Sequence, residues 1–201
     1  MNVTTPVEKE TLKSLKVGDV VYITGEILSI RDQAYKKLLG MLKKGKKAPF
    51  EINGQVFYHC GPLAVKKEKW KIISAGPTTS SRMENLIVEL ARFVKTVIFI
   101  GKGELSWKFT EAMRGKGAYF VFPGGAGSLA AKYIKEVKKV YWQELGMAEA
   151  VWKLKVENFG PCLVAIDSRG SNLFEKIKNE VENKYKEVLK EDFEIKNLFW
   201  K

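Results

Sequence analysis

Short apolar runs alternate along this chain with stretches whose apolar residues fall three and four apart, and glycine, proline or hydroxyl residues punctuate the joins. Val20–Leu28 reads as a strand, and Gln33–Leu39 continues from it at helical spacing. Trp70–Ile73 is a second strand, followed by the helical pattern Met83–Phe93. Thr96–Ile100 precedes a helix from about Glu104 to Met113, and Ala118–Phe122 precedes one from Ser128 to about Lys138. Leu163–Asp167 is a last strand before a charged amphipathic helix from Ser171 to about Leu189. Phe50–Tyr58 holds Asn53-Gly54 near its centre, a pair suited to the type I′ turn of a hairpin. Strands alternating with helices, plus a hairpin, predict an α/β fold on a mixed sheet. The pattern is that of one domain over residues 1–189 and a C-terminal tail at 190–201, whose large apolar residues would pack on this domain or on another chain.

The joins carry the chemistry. Ser74-Ala-Gly76-Pro-Thr78-Thr79-Ser-Ser81-Arg82-Met-Glu84 puts free backbone N–H groups, several hydroxyls and a guanidinium at a predicted helix start, where anions bind readily. Ser81 and Glu84 have capping-box spacing, and Ser29 and Asp32 repeat it around Arg31. A cation in a first helical turn opposes the helix dipole by a few tenths to about 1 kcal/mol, so Arg31 and Arg82 are expected to serve something other than their helices. Gly101-Lys102-Gly103 and Pro123-Gly-Gly-Ala-Gly127 fill the two other strand-to-helix joins. Arg31, Arg82, Lys102 and a glycine loop at strand ends describe a cleft for a small, multiply charged anion.

Composition narrows the reading. With 45% apolar residues in 201, the chain can bury a full core. No apolar stretch follows Met1–Pro6 and no run approaches the roughly 20 apolar residues of a membrane span, so secretion and membrane insertion are not expected. Cys60 and Cys162 offer no disulfide framework, which suits a cytoplasmic protein. Thirty-five basic against 23 acidic residues give +12, compatible with nucleic acid, an acidic partner or an anionic substrate. The lysines at 43–47, at 66–71 and at Lys132, Lys135, Lys138 and Lys139 lack interleaved aromatics and any helix-turn-helix, zinc or RNP pattern. They read as solvated surface, the last group as a helix face, and no nucleic-acid partner is expected. A basic anion-binding module without catalysis remains the alternative to an enzyme.

One histidine and two separated cysteines cannot supply a four-ligand zinc site or three thiolates to an iron–sulfur cluster, so no metal site is expected on this chain. His59 reads as a packed or hydrogen-bonded residue. Gly125-Ala-Gly127-Ser-Leu-Ala130 matches the dinucleotide fingerprint formally, but no strand-ending acid follows at the needed spacing. Its glycines are better read as letting the backbone pass close to a carboxylate or a neighbouring element.

Taken together, Leu15–Ile27, Arg31-Asp32-x-Ala34, Gly61-Pro62, Gly76-Pro77-Thr78-Thr79-x-x-Arg82-Met83, Gly101-Lys102-Gly103, Gly124-Gly125-Ala126, Glu144–Met147 and Val164–Asp167 resemble the beta subunit of two-subunit class I fumarases. The related tartrate dehydratase beta subunit shares these motifs, and the resemblance runs from about Leu12 to Phe174. It implies a swivelling β/β/α domain over a 4Fe–4S cluster held by three cysteines of a separate alpha subunit, hence a hetero-oligomer. The fourth iron would act as a Lewis acid on a 2-hydroxy dicarboxylate. By motif match Thr78 would take the C3 proton, with an activating partner outside this chain. Arg31, Arg82, Lys102, Gly76 and Thr79 would bind the substrate, arginine being suited to bidentate carboxylate contacts. The implied reaction is reversible hydration of fumarate to L-malate, with tartrate or another 2-hydroxy dicarboxylate as the alternative. Tyr35 stands where the family often has histidine, and Glu104-Leu105 follows Gly-Lys-Gly, so substrate preference is the open element.

Overall fold

A computed structural model describes the backbone of residues 1–199 and the side-chain surroundings of residues 1–189. In chain order the elements are β1 (Asn2–Thr4), α1 (Lys9–Ser14), β2 (Val20–Ile30), α2 (Asp32–Lys43), β3 (Gln55–His59), β4 (Leu63–Lys66) and β5 (Trp70–Ser74). A 3-10 turn at Ser80–Met83 leads into α3 (Glu84–Leu90), then β6 (Val97–Gly101), α4 (Trp107–Met113), β7 (Gly117–Val121) and α5 (Gly127–Tyr133). β8 (Ile134–Tyr141), β9 (Val151–Ile166) and α6 (Leu173–Phe199) complete the order.

The sheet is mixed, with strand order β1-β2-β3-β6-β7-β9-β8 and a further β2–β9 pairing. β2, β3, β6 and β7 run parallel. β9 is antiparallel to both β7 and β2, so it closes these strands into a ring. Strand residues alternate between two buried faces, as parallel strands covered on both sides must. Val56, Tyr58, Ile98, Ile100, Ala118 and Phe120 join Trp152, Leu154 and Phe159 in one core. Phe57, Phe99 and Tyr119 point the other way, onto Leu38 of α2, Ile87 of α3 and Phe109 of α4. Helices α2, α3 and α4 therefore form an outer layer on this face, while Leu12 of α1 and Ala130 of α5 join the other core, and the parallel strands all end at the same edge.

Several local expectations change. The spacing of Ile134, Val137 and Val140 suggests a helix to Lys138, but α5 stops at Tyr133 and these residues lie in β8. Two register shifts against β9, between Ile134 and Glu136 and between Val137 and Lys139, each insert an extra residue. Bulges of this kind stretch a period of two into a period of three, which imitates helical spacing. Lys135, Lys138 and Lys139 therefore line a strand rather than a helix face. Phe50–Tyr58 is not a hairpin: Gly54 does adopt φ +66°, but the turn feeds β3, which pairs with β2 and β6. The two-stranded hairpin is instead β4–β5. Leu163–Ile166 is the end of the 16-residue β9. The last helix begins at Leu173 and its backbone continues to Phe199. The packing of the tail at 190–201 lies outside the described residues. Among the described residues no helix is long and apolar enough to cross a membrane.

Candidate active site

The ends of β2, β3 and β6 and the loops after them gather the predicted site residues. β3 ends at His59, and the hairpin β4–β5 leads out from it and back to Gly76. The returning chain is pinned along the sheet edge by an isolated bridge from Pro77 to Cys60 and another from Thr79 to Lys102. Thr78 N–H donates to the His59 carbonyl at 2.6 Å, Lys102 N–H to the Thr78 carbonyl at 3.2 Å, and Ser80 N–H to the Lys102 carbonyl at 3.0 Å. Thr78, Thr79 and Lys102 thus sit side by side as an extra rung beyond β6. Gly76 lies against Gly127: a Cβ on Gly127 would meet the Ser74 hydroxyl at 2.3 Å and the Gly76 nitrogen at 3.1 Å. The glycine loop therefore lets α5 approach the site turn, the neighbouring-element reading of those glycines.

The capping boxes are not formed. Arg31 itself is the residue before α2, in extended conformation and without a side-chain cap. Ser29 stays inside β2, where its hydroxyl accepts from Trp152 N–H. Arg82 lies in the 3-10 turn before α3, and Glu84 accepts from the backbone N–H and the hydroxyl of Ser106 instead of capping Ser81. The arginines are thus held at the sheet edge ahead of their helices, aimed by loop geometry.

Two carboxylates set the arginines. Asp32 Oδ2 lies 4.0 Å from Arg31 Nε and 3.8 Å from the Arg82 guanidinium, so one acid stands between both. Glu149 Oε1 approaches Arg31 Nε at 3.3 Å, while its other oxygen accepts from Gln33 N–H. That approach has the distance of an ion pair without hydrogen-bond alignment, so the Arg31 Nε–H is a buried donor lacking an acceptor. Such a donor costs about 1–3 kcal/mol, which marks Arg31 as a group shaped for something other than stability. Gly61 makes the room: a Cβ there would sit 2.9 Å from Arg31 Nη1. Arg82 is 54% exposed on its side chain, against 23% for Arg31. The Lys102 stem passes 3.8 Å from the Cβ position of Gly124, so the second glycine loop gives it a path. Among the described residues the Thr78 hydroxyl has no hydrogen-bond partner. A half-buried, unengaged hydroxyl at the sheet edge that carries Arg31, Arg82 and Lys102 can meet a carboxylate-bearing substrate.

Beneath the site His59 is packed and hydrogen-bonded, as its sequence context suggested, but its partners are not legible in the sequence. His59 is fully buried, its Nε2 2.9 Å from the Tyr35 hydroxyl and its Nδ1 2.8 Å from the Ser80 hydroxyl. Tyr119 reaches the same Ser80 oxygen at 3.0 Å and the Gly103 carbonyl at 2.9 Å. Burial pushes the His59 pKa down to about 3 and raises that of Tyr119. The available signal was position: His59 and Gly101 are the last residues of β3 and β6, and Tyr119 lies on the same helix-facing side of β7, two residues before its end.

Cys60 and Cys162 are both buried, and burial pushes both thiols up, the opposite of what metal ligation needs. Among the described residues no three His, Cys, Asp or Glu side chains gather for a metal ion. The donor set of this chain does not fit an iron–sulfur cluster.

The family model described as fumarase C-terminus matches residues 1–177. The chain is 40% identical over 184 residues to a Methanocaldococcus jannaschii protein named "Putative L(+)-tartrate dehydratase subunit beta", covering 90% of this chain and 94% of the relative. It is 37% identical over 172 residues to the L(+)-tartrate dehydratase subunit beta of Escherichia coli, covering 85% and 84%. A Geobacillus stearothermophilus protein named "Putative fumarate hydratase class I" is 37% identical over 175 residues, which span 86% of this chain and 33% of that longer one.

Proposed function

Because the chain belongs to the fumarase C-terminus family, we propose that it is the beta-type subunit of a hydro-lyase acting on a four-carbon 2-hydroxy dicarboxylate, with L(+)-tartrate the leading substrate. One observation carries the reading: Arg31 and Arg82 flank a single carboxylate, Asp32, at the edge where Thr78 and Lys102 are bonded main chain to main chain. Two guanidiniums and an ammonium match two carboxylates and a hydroxyl, and arginine engages a carboxylate through two parallel N–H donors. In this reading Arg82, held only at 3.8 Å by Asp32, closes on one substrate carboxylate. Arg31 offers its unpaired Nε–H to the same ligand, and Lys102 neutralises the far carboxylate. Thr78 stands at the carbon that loses or gains the proton.

The relatives' names support a partner chain, and the cluster that the family resemblance implies would reside there, since this chain lacks the ligands. The activator of Thr78 would come from the same partner. Free, buried thiols suit a reducing compartment. Fumarate hydration is the second reading, favoured by the Geobacillus relative. The test is an anaerobic assay of the co-expressed pair on L(+)-tartrate, malate and fumarate. Turnover of tartrate at a kcat/KM at least about tenfold above malate, roughly 1.4 kcal/mol, is expected. The reverse order would move the assignment to fumarase, and no turnover of any of them would defeat it.

A further inference from the structure

The buried groups beneath the site form a line: Tyr35 hydroxyl, His59 ring, Ser80 hydroxyl, Tyr119 hydroxyl, Gly103 carbonyl, with separations of 2.9, 2.8, 3.0 and 2.9 Å. All four side chains are 0% exposed. Their hydrogens can therefore be assigned by counting. A carbonyl only accepts, and Tyr119 has one hydrogen for two oxygen neighbours, so that hydrogen goes to Gly103. Ser80 then donates to the Tyr119 oxygen, His59 Nδ1–H donates to Ser80, and Nε2 accepts from Tyr35. Every hydrogen finds an acceptor. Placing the ring hydrogen on Nε2 reverses the first bond and leaves the Tyr35 hydroxyl without an acceptor among the described residues. Protonating both nitrogens does the same and adds an unpaired interior charge.

We infer that His59, held as the neutral Nδ1–H tautomer, is a positioning residue: it directs a one-way chain of hydrogen bonds that locks the Thr78–Arg82 turn onto the Gly101–Gly103 loop. Ser80 opens the 3-10 turn that carries Arg82, and Gly103 follows Lys102, so the chain ties the two cations through their neighbours. The fit is close, for a Cβ on Gly101 would stand 1.9 Å from the Ser80 oxygen. Burial of the ring among Tyr35, Ser80 and Phe99, all uncharged, keeps it neutral. The chain of bonds stands on the structure alone; its effect on turnover rests on the proposed function.

The chain has one histidine, so ring-nitrogen labelling of the full chain yields one set of signals. At neutral pH a pyrrole-type Nδ1 and a pyridine-type Nε2 are expected; protonated Nε2, or an average of tautomers, overturns the assignment. Ser80→Ala should speed amide exchange at Thr78, Ser80's own position and Lys102 by about tenfold or more, with the β3 and β6 interiors unchanged. Tyr119→Phe keeps the ring, serves if Ser80→Ala does not fold, and should loosen the same amides. Unchanged exchange in a folded variant overturns the positioning role. In the assembled pair Tyr119→Phe acts at the Lys102 end and is expected to raise KM about tenfold with kcat nearly kept, while Ser80→Ala lowers kcat/KM by about 10- to 100-fold. Wild-type kinetics in both variants would sink the role. A wild-type pair inactive on all three acids defeats the proposed function instead, and exchange and tautomer then decide this inference.

Discussion

Arg82 and Thr78 occupy one turn but answer to different physics. Arg82 contributes little to the fold, since its described ion pair is a 3.8 Å approach by a half-exposed side chain. Arg82→Met should leave the melting temperature within about 2 °C yet cut kcat/KM about 10- to 150-fold, the worth of a charged hydrogen bond at roughly 1.5–3 kcal/mol. Thr78→Val removes only a hydroxyl without a recorded partner, so its loss should fall on kcat with KM nearly kept; steady-state kinetics of the assembled pair separates the two. His59 makes a third prediction, in stability. Its folded pKa lies near 3, below the ordinary 6.5, so the unfolded chain takes up a proton that the native chain refuses as pH falls below 6.5. Between about pH 6.5 and 3 this group should therefore destabilise the fold by up to about 1.4 kcal/mol per pH unit, and it should have no effect above 6.5. Denaturant melts at pH 5 and 7, compared with His59→Gln, would show it.

Among the elements, β9 determines the shape. It pairs with β2 from Trp152 to Leu163 and with β7 at its end, so one strand closes the ring, and at its start, Val151–Val156, it joins β2 to β8. Trp152 sits at that junction, 1% exposed, edge-on to Trp70 with centroids 5.0 Å apart, and its indole N–H donates to the Met147 carbonyl at 2.9 Å. Trp152→Ala should cost roughly 3–5 kcal/mol, measured by denaturant unfolding, because it empties a cavity between ring and hairpin. The hairpin carries the two site loops, Gly61-Pro62 and Gly76–Thr79, so a loosened hairpin should also raise KM.

For the whole molecule, the proposed function divides the chemistry between this chain and a partner. The chain gathers cations at one edge but no metal-binding cluster of side chains among its described residues. Anaerobic iron–sulfide reconstitution of the purified chain is expected to give no stoichiometric cluster absorbance and no hydratase activity. A stable cluster with turnover would overturn the division of labour. Under the proposed function the +12 charge would draw an anionic substrate, and association is expected to slow as salt rises.

Much of this was legible residue by residue. The α/β alternation, the strand ends with Arg31, Thr78, Arg82 and Lys102, and the poverty of metal ligands all follow from local pattern and composition, because period, turn chemistry and residue counts are properties of short segments. Long-range pairing is not such a property. That Ile134–Tyr141 is a bulged strand depended on β9 offering a partner edge, since the inserted residues make its apolar spacing helical. That Asn53-Gly54 feeds a parallel strand depended on β2 and β6 being there to flank Gln55–His59. Most of all, nothing local distinguishes His59 from any packed histidine. Only the fold brings Tyr35 from α2, Ser80 from the site turn and Tyr119 from β7 within 3.0 Å of a shared line, and only complete burial makes each hydrogen on that line count.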